Sequence, residues 1–319
     1  MTTQDKRAAA LDMVGECTVR LGDLTDVGAV REMVRTLAAR AQALQGTLDD
    51  RPYFTRTMSR LAHVVRAHGW VEVARETLEW TMALGAMDGY VLSELAECHL
   101  ARGDVQAAEA TLVRARTAGV ATDAIYTSLV KAHGRAGRIA DARRIFDQAR
   151  ADRALTAFTY PALIAAYGVV GDLRAARLAF EWAKHDGQLS PPAFTALATA
   201  CGSVGDLAGV DAVLSMARAA GHPSSRLTLT AIRAHLEVRQ FAAARRVLEE
   251  DKGRGLVDGA CYAVLIASCH KAGRHREAKR VFASATADPS LSPDDRRRIK
   301  HAHARTRRDV AARGAVMAA

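Results

Sequence analysis

The chain has 319 residues, 49% hydrophobic and 25% charged, which is enough apolar sequence for a large core and excludes an intrinsically disordered protein. Lys and Arg number 45 against 35 Asp and Glu, a net charge of +10 that is compatible with nucleic acid or another polyanion. Five cysteines without a CxxC spacing favour a reducing compartment over a disulfide framework or a structural zinc site. The first residues resemble neither a signal peptide nor a transit peptide, and no run approaches the roughly 18 apolar residues of a membrane span. We therefore expect a soluble cytoplasmic protein without a membrane segment.

The N-terminal residues 1–54 are expected to form a cap. Helical periodicity lies on both sides of Gly22 and Asp23, and a loop is predicted from Gln45 to Tyr53. Gly22 precedes Gly69 by 47 residues, which is out of register with the repeat that follows. This mismatch is typical of an atypical terminal repeat.

A 34-residue repeat occupies residues 55–288. Its clearest column is glycine, with Arg239 at the one skipped position: Gly69, Gly103, Gly137, Gly171, Gly205 and Gly273. If this glycine is the fifteenth residue of each unit, seven units begin at Thr55, Gly89, Asp123, Ala157, Pro191, Ser225 and Gly259. An eighth unit would begin at Pro293.

Each unit has the apolar pattern of two helices. Columns four, seven, eight and eleven trace one helical face, and columns seventeen, twenty, twenty-four and twenty-seven trace another. The glycine suits a left-handed residue after the first helix, and the mostly alanine column twenty suits a close helix crossing. Because one hairpin cannot cover its own apolar face, neighbouring units must stack. The sequence predicts an all-α fold, a right-handed α-solenoid of about seven hairpins with capping helices.

Residues 289–319 are predicted to form a basic helix and tail. Ser292 can cap a helix, Pro293 suits its first turn, and Asp294 and Asp295 complement its dipole. The helix is expected to run to about Ala312. Its dense cations could clamp nucleic acid, or they could form a polar cap that keeps the stack soluble.

Three units read LVKAHGRAGRIADARRIF (129–146), LIAAYGVVGDLRAARLAF (163–180) and LIASCHKAGRHREAKRVF (265–282). These units resemble pentatricopeptide repeats. The resemblance implies an α-solenoid that binds single-stranded RNA, about one base per repeat, through side chains on the first helix and at the repeat end.

The unit also departs from the pentatricopeptide pattern. Its period is one residue shorter than usual, and column twenty-seven is mostly alanine where the family normally has Met. Both features resemble tetratricopeptide repeats, which are usually protein-binding, although the early Trp and late Pro of that family are missing. A scaffold that grips a peptide or partner protein is therefore the alternative, and Gly134, Gly168 and Gly202 are expected to leave room for it in the groove.

In the family that the chain resembles, the fifth residue and the last residue of a unit read the base. The candidate base-reading residues of this chain are Ser59, Asp88, Ser93, Thr127 and Thr195. Only Ser59 with Asp88 matches a standard combination, one associated with guanine. The alternative is that these small polar residues cap helix starts.

Cations of the first helix are the candidate phosphate contacts: Lys131, Arg135, Arg233 and Lys271. A second candidate is column twenty-one, where five of seven residues are basic. These cations could face a phosphate chain, or they could belong to an ordinary solvated helix face.

No enzyme and no cofactor are expected. The HExxH, GxSxG and phosphate-loop motifs are missing. Column eleven contains His99, His133, Cys201, His235 and Cys269. Residues that recur once per repeat at a core-facing column are interpreted as packing elements rather than as ligands of a shared metal.

Overall fold

The computed structural model describes residues 3–21, 23, 26–43, 51–85 and 87–318. Its regular elements in this part of the chain are all α-helices. The chain forms two compact units, unit 1 (Met1–Leu155) and unit 2 (Thr156–Ala319).

Unit 1 contains eight helices in its described residues. They are α1 (Thr3–Leu21), α2 (Val27–Ala43), α3 (Arg51–Ala67), α4 (Val71–Ala83), α5 (Gly89–Ala101), α6 (Val105–Thr117), α7 (Asp123–Arg135) and α8 (Ile139–Ala151).

Unit 2 contains nine helices in its described residues. They are α9 (Thr159–Val169), α10 (Leu173–His185), α11 (Pro191–Ser203), α12 (Leu207–Ala219), α13 (Ser225–Glu237), α14 (Phe241–Lys252), α15 (Gly259–Lys271), α16 (His275–Thr286) and α17 (Pro293–Ala318).

The predicted hairpins are present and stacked. The odd-numbered helices α3 to α15 are the first helices of the seven repeats, and α4 to α16 are the second helices. Within each unit, each first helix packs on its own second helix and on the first helix of the next repeat. Helices α5, α7, α11, α13, α15 and α17 begin at the predicted residues, whereas α9 begins two residues later than predicted. The predicted all-α fold of stacked helical hairpins is confirmed.

Two series of left-handed residues end the helices of the repeats. The predicted glycines that end the first helices have positive φ angles, and Arg239 adopts the same conformation at the skipped position, with a φ of 60°. A second series, which the sequence did not predict, ends the second helices at Gly85, Gly119, Arg153, Gly187, Gly221 and Gly255. Glycine adopts a φ near +60° without strain. Arg239 and Arg153 adopt the same conformation with strain, because their side chains carry a Cβ atom.

The core of the repeats follows the predicted columns. The alanines of column twenty are fully buried where second helices meet their neighbours, for example Ala74, Ala142 and Ala278. The alanines of column twenty-seven are equally buried, for example Ala115 and Ala217. Small side chains at both columns allow the helices to approach closely.

Gly168 and Gly202 are packing residues between first helices. A Cβ atom at Gly168 would lie 2.9 Å from the Cβ atom of Ala200, and one at Gly202 would lie 3.2 Å from the Cβ atom of Ala234. The expectation that the series Gly134, Gly168 and Gly202 leaves room in a groove is therefore wrong, because the next first helix fills the space at Gly168 and Gly202 and Gly134 is itself buried.

In three repeats, a tyrosine hydroxyl bonds the start of the first helix to the end of the same repeat. Tyr126 donates to Asp152 and Tyr160 donates to Asp186. Tyr262 donates to the buried Asp288 at 2.8 Å. Each pair joins column four to column thirty, and the tyrosine is buried in all three repeats. The hydrogen bond therefore helps to fix where the first helix begins, at the edge where the candidate base-reading residues lie.

The two ends of the chain follow the prediction in outline. Helices α1 and α2 form the predicted N-terminal pair, and Gly22 between them lies outside the described residues. The predicted end of the loop at Tyr53 is wrong because α3 begins at Arg51, and residues 44–50 lie outside the described residues. Helix α17 packs on α15 and extends to Ala318 rather than Ala312, which its alanine-rich end favours. Among the described residues, no helix combines the length and apolar character needed to cross a bilayer.

Candidate nucleic-acid interface

The first helices α3, α5 and α7 border a groove of about 490 Å³ in unit 1. We call it the unit 1 groove. It is lined by Arg56, Ser59, Arg60, His63, Tyr90, Ser93, Glu94, Thr122, Asp123 and Ala124. The groove therefore brings together the fifth residues of repeats one and two, Ser59 and Ser93, and the last residue of repeat two, Thr122.

The hydroxyl groups of this groove differ in their partners. The Ser93 Oγ atom lies 2.6 Å from the Gly89 carbonyl oxygen, to which it donates, and 2.6 Å from the Thr122 Oγ1 atom. Ser59 is 5% exposed, and its Oγ atom has no hydrogen-bond partner. A buried hydroxyl without a partner costs stability, and this one borders the groove with a hydrogen-bonding capacity that the protein itself leaves unused.

Asp88 acts as a helix cap. Its carboxylate accepts hydrogen bonds from the backbone N–H groups of Tyr90 and Val91 at 2.9 and 3.0 Å. Ser224 and Asp258 cap α13 and α15 in the same way. For these end-column residues, the capping interpretation explains the side chain without a ligand.

Thr127 and Thr195 lie on first helices away from the lining of the unit 1 groove. Thr127 is buried on α7. Thr195 is partly buried on α11 in unit 2, and its hydroxyl donates to the Pro191 carbonyl at 3.0 Å. The Thr195 hydroxyl is thus engaged by its own helix, whereas the Ser59 hydroxyl has no protein partner.

The four candidate phosphate contacts are exposed. Lys131 and Arg135 lie one turn apart on α7 in unit 1, while Arg233 lies on α13 and Lys271 on α15 in unit 2. None of the four forms an ion pair or hydrogen bond with the described residues. In contrast, the first-helix residues His63 and Arg66 contact Glu94 at 3.0 and 3.3 Å.

The cations of column twenty-one are mostly neutralised by the protein itself. Arg75 contacts Glu72 and Glu79, Arg143 contacts Asp147, and Arg177 contacts Asp206, all at 3.1 Å or less. The two remaining cations of the column, Arg245 and Lys279, have no such partner among the described residues. The column therefore forms no uniform basic stripe.

Sequence reasoning missed the aromatic component of the unit 1 groove. Tyr90 is 57% exposed, and the Arg56 guanidinium lies 5.5 Å from the centre of its ring. Both residues occupy column two, and Phe158 at the same column is 64% exposed. An exposed aromatic residue at a repeated column is the signal that could have found this surface.

The histidines and cysteines of column eleven are packing residues. His133 and His235 are buried, and their Nε2 atoms lie 2.7 Å from Glu109 and 3.0 Å from Asp211 of the preceding repeats. Burial raises the pKa of the Cys98 thiol to about 12 and that of Cys269 to about 11, so both stay protonated at neutral pH. No group of three or more His, Cys, Asp or Glu in the described residues is arranged to hold a metal ion.

Comparison with a family model identifies two of the repeats. Residues 124–153 and 260–284, which fall in repeats three and seven, match the model of the PPR repeat. No curated protein sequence matches the chain.

Comparison with solved structures finds helical-repeat proteins. The pentatricopeptide repeat protein PPR10 in complex with an 18-nucleotide psaJ RNA element has 20% identity and a TM-score of 0.53. The match covers 88% of this chain and 40% of that chain, so this chain spans less than half of that protein. A tetratricopeptide repeat protein from Parabacteroides merdae ATCC 43184 has 14% identity and a TM-score of 0.46, over 78% of this chain and 98% of that chain.

Proposed function

We propose that this chain, a helical-repeat protein of the pentatricopeptide- and tetratricopeptide-like class, binds single-stranded RNA on the exposed face of its first helices. The observation that carries the proposal is the unit 1 groove, where a stacking surface and an unpartnered hydroxyl lie side by side. The RNA-bound PPR10 complex, with a similar fold, supports the choice of ligand.

The chemistry of the unit 1 groove suits unpaired bases. A base can stack on the Tyr90 ring or the Arg56 guanidinium, an interaction that is available only when the base is not stacked in a duplex. The Ser59 hydroxyl can then form a hydrogen bond with the edge of the stacked base. Ser93 is held by Thr122 and Gly89, so it offers less to a ligand.

The phosphates would meet the unpartnered cations. Lys131, Arg135, Arg233 and Lys271 are exposed and need no protein partner to be displaced before they contact a phosphate. Each contact releases a counterion, so the binding should weaken steeply as salt increases.

The first test measures the binding of a random-sequence 20-nucleotide RNA pool by fluorescence anisotropy at increasing KCl concentrations. We expect the variant K131A/R135A/R233A/K271A to bind more weakly, with the slope of log K against log salt reduced by about 0.7 for each lost contact. The control R75A/R116A/R143A/R177A loses the same charge from ion-paired arginines and should keep most of the slope. Wild-type protein that fails to bind RNA at low salt would refute the proposal. A protein partner that then co-purifies after nuclease treatment would indicate the scaffold function instead.

The second test examines base recognition with Ser59→Ala. Because the Ser59 hydroxyl has no partner, its removal should leave stability unchanged or slightly higher. RNA selected for tight binding to wild-type protein should bind S59A less tightly, by about 1 kcal/mol for one lost hydrogen bond. Equal binding of the selected RNA to both proteins would show that Ser59 does not contact a base.

A further inference from the structure

A second groove, of about 680 Å³, lies between the second helices α14 and α16 in unit 2. Its walls carry four arginines, Arg245, Arg274, Arg276 and Arg280, and one carboxylate, Glu277. We call it the arginine groove. None of these residues belongs to the first-helix face described above.

The cations of the arginine groove exceed its anions. Glu277 is engaged by Arg274 at 2.7 Å, and the Arg274 guanidinium also lies 4.7 Å from the centre of the Phe241 ring. Arg245, Arg276 and Arg280 are exposed and form no ion pair or hydrogen bond with the described residues. Three guanidinium groups thus share one open groove without a protein counter-ion, which raises the local affinity for an anion.

Several of the corresponding positions in other repeats are neutralised by the protein. Column twenty-one carries Arg75 and Arg143 in unit 1, and both are held by acids of their own helices. At column sixteen, Asp104 of repeat two caps its second helix, as do Asp172 and Asp206 in unit 2. Repeat seven has Arg274 at this column and repeat three has Arg138, and neither side chain caps its helix. What distinguishes the arginine groove is that Arg245 of repeat six and Arg276 and Arg280 of repeat seven line one groove.

We propose that the arginine groove binds phosphate groups of the RNA strand held by the first helices; the inference rests on the proposed function. Guanidinium groups are suited to phosphates because they can donate two parallel hydrogen bonds to one phosphate. The path from one surface to the other is short along the chain. Lys271, a candidate phosphate contact, ends α15, and Gly273 two residues later already lines the groove. The RNA footprint would thus extend from the first-helix face over this turn onto second helices.

The test compares R245A/R276A/R280A with the control R75A/R143A/R177A, which loses the same charge from ion-paired arginines. Both variants and wild-type protein are titrated with 8- and 24-nucleotide oligouridylates, and circular dichroism checks their folding. For the 24-mer we expect the groove variant to bind about 10- to 100-fold more weakly at 50 mM KCl, with a salt slope smaller by about 2. The first helices can hold the 8-mer alone, so its affinity should fall less in the groove variant. The control should bind both RNAs as wild-type protein does.

The two proposals fail in different ways. If wild-type protein binds the 24-mer and the groove variant binds it equally well, the arginine groove is not a phosphate site and the first-helix proposal stands. If both variants weaken binding equally, the effect comes from net charge and the groove proposal is overturned. If wild-type protein binds neither RNA, the proposed function itself is wrong.

Discussion

Units 1 and 2 are built from the same hairpin but differ in charge. Unit 1 contains 21 Lys and Arg against 20 Asp and Glu, a net charge of +1. Unit 2 contains 24 against 15, a net charge of +9. More than half of the excess in unit 2, eight Lys and Arg against three Asp, lies in residues 289–319, outside the seven repeats. The repeats themselves differ less in net charge, so the comparison depends on which of their cations remain unpaired.

Paired and unpaired cations occur in both units, since Lys131 and Arg135 of unit 1 are unpaired among the described residues and Arg177 and Arg218 of unit 2 are paired. In unit 1, Arg66, Arg75 and Arg116 contact Glu94, Glu79 and Asp152. In unit 2, the exposed arginines Arg233, Arg245, Arg276 and Arg280 have no such partner among the described residues. Unit 2 thus offers more unpaired cations to a polyanion, while unit 1 offers the groove with the unpartnered serine. The following variants test whether the same hairpin also responds differently in the two units.

The largest effect is expected at the buried acid of repeat six. Asp251 is fully buried at a column that is alanine in most repeats, and it accepts hydrogen bonds from Arg218 at 2.6 Å and Thr228 at 2.6 Å. Asp251→Ala leaves Arg218 with only the exposed Glu250 at 3.1 Å and leaves Thr228 without its acceptor, so it should lower the free energy of unfolding by about 3 kcal/mol. Urea unfolding measures the loss, and the double variant D251A/R218A should regain part of it. A loss below about 1 kcal/mol would mean that the pair contributes little net stability.

A smaller effect is expected for the tyrosine hydrogen bonds. Tyr262→Phe removes a donor from buried Asp288, which should cost about 1–3 kcal/mol. Tyr126→Phe should cost less, because Asp152 in unit 1 is more exposed and keeps Arg116 at 2.6 Å. Equal losses in urea unfolding of the two variants would contradict this difference between the units.

The same pair predicts a pH dependence. Burial alone would raise the pKa of Asp288, but hydrogen bonds from Ser290 and Tyr262 and the nearby Lys252 hold that pKa below its usual value. The resulting stabilisation is present above the unfolded pKa of about 3.9 and is lost as pH falls through the lower folded pKa. In Y262F the pKa of Asp288 should be less depressed, so acid unfolding should begin at a higher pH than in wild-type protein. An unchanged acid midpoint would show that Tyr262 has no influence on this carboxylate.

A moderate effect is expected where first helices touch in unit 2. In Gly168→Ala the new Cβ atom would lie 2.9 Å from the Ala200 Cβ atom and 3.2 Å from its Cα atom. Overpacking of this kind costs about 1–3 kcal/mol, partly offset by about 1 kcal/mol from the better helix propensity of alanine. The control in unit 1 is Gly15→Ala, which meets no atom within 4 Å and should stabilise its helix. The midpoint temperature of thermal unfolding should therefore fall for Gly168→Ala and rise for Gly15→Ala.

The smallest effect is expected at the two strained arginines. Arg239 in unit 2 and Arg153 in unit 1 have φ angles of 60° and 54° at columns where most other repeats have glycine. Arg239→Gly and Arg153→Gly should each raise the free energy of unfolding by about 0.5–1 kcal/mol, because glycine adopts this conformation without strain. Arg239→Ala is the control and should not raise the free energy of unfolding, because alanine is strained at this φ as well. Destabilisation by both glycine variants would show that the arginine side chains contribute more than the strain costs.

Much of the fold could be predicted from local pattern. The 34-residue glycine column located the end of each first helix, and the apolar columns located the buried faces. The Tyr262–Asp288 pair was also within reach, because Asp occupies column thirty in the three repeats that have Tyr at column four. The packing role of Gly168 could not be predicted, because nothing in its own helix shows that Ala200 fills the space beside it.

The candidate site was only partly predictable. The sequence identified Ser59, Ser93 and the four first-helix cations by their columns, but it could not show which of these groups the protein already uses. Asp88 and Ser59 stood as one pair, yet Asp88 caps α5 and Ser59 remains unpartnered in a groove. Arg56, Tyr90 and the arginine groove were missed, since each belongs to a surface formed by two neighbouring repeats.

The sequence by itself determined the repeat, the hairpins and the buried columns, because a helix places residues three and four apart on one face whatever surrounds it. The tertiary structure decided which charges remain available. Arg116 meets Asp152 and Arg218 meets Asp251 across more than 30 residues of sequence, and such pairs form only because the stacked hairpins bring the second helices of neighbouring repeats within reach of each other's side chains. Attraction between charges depends on their distance in space, and that distance is set by helix packing rather than by position in the repeat.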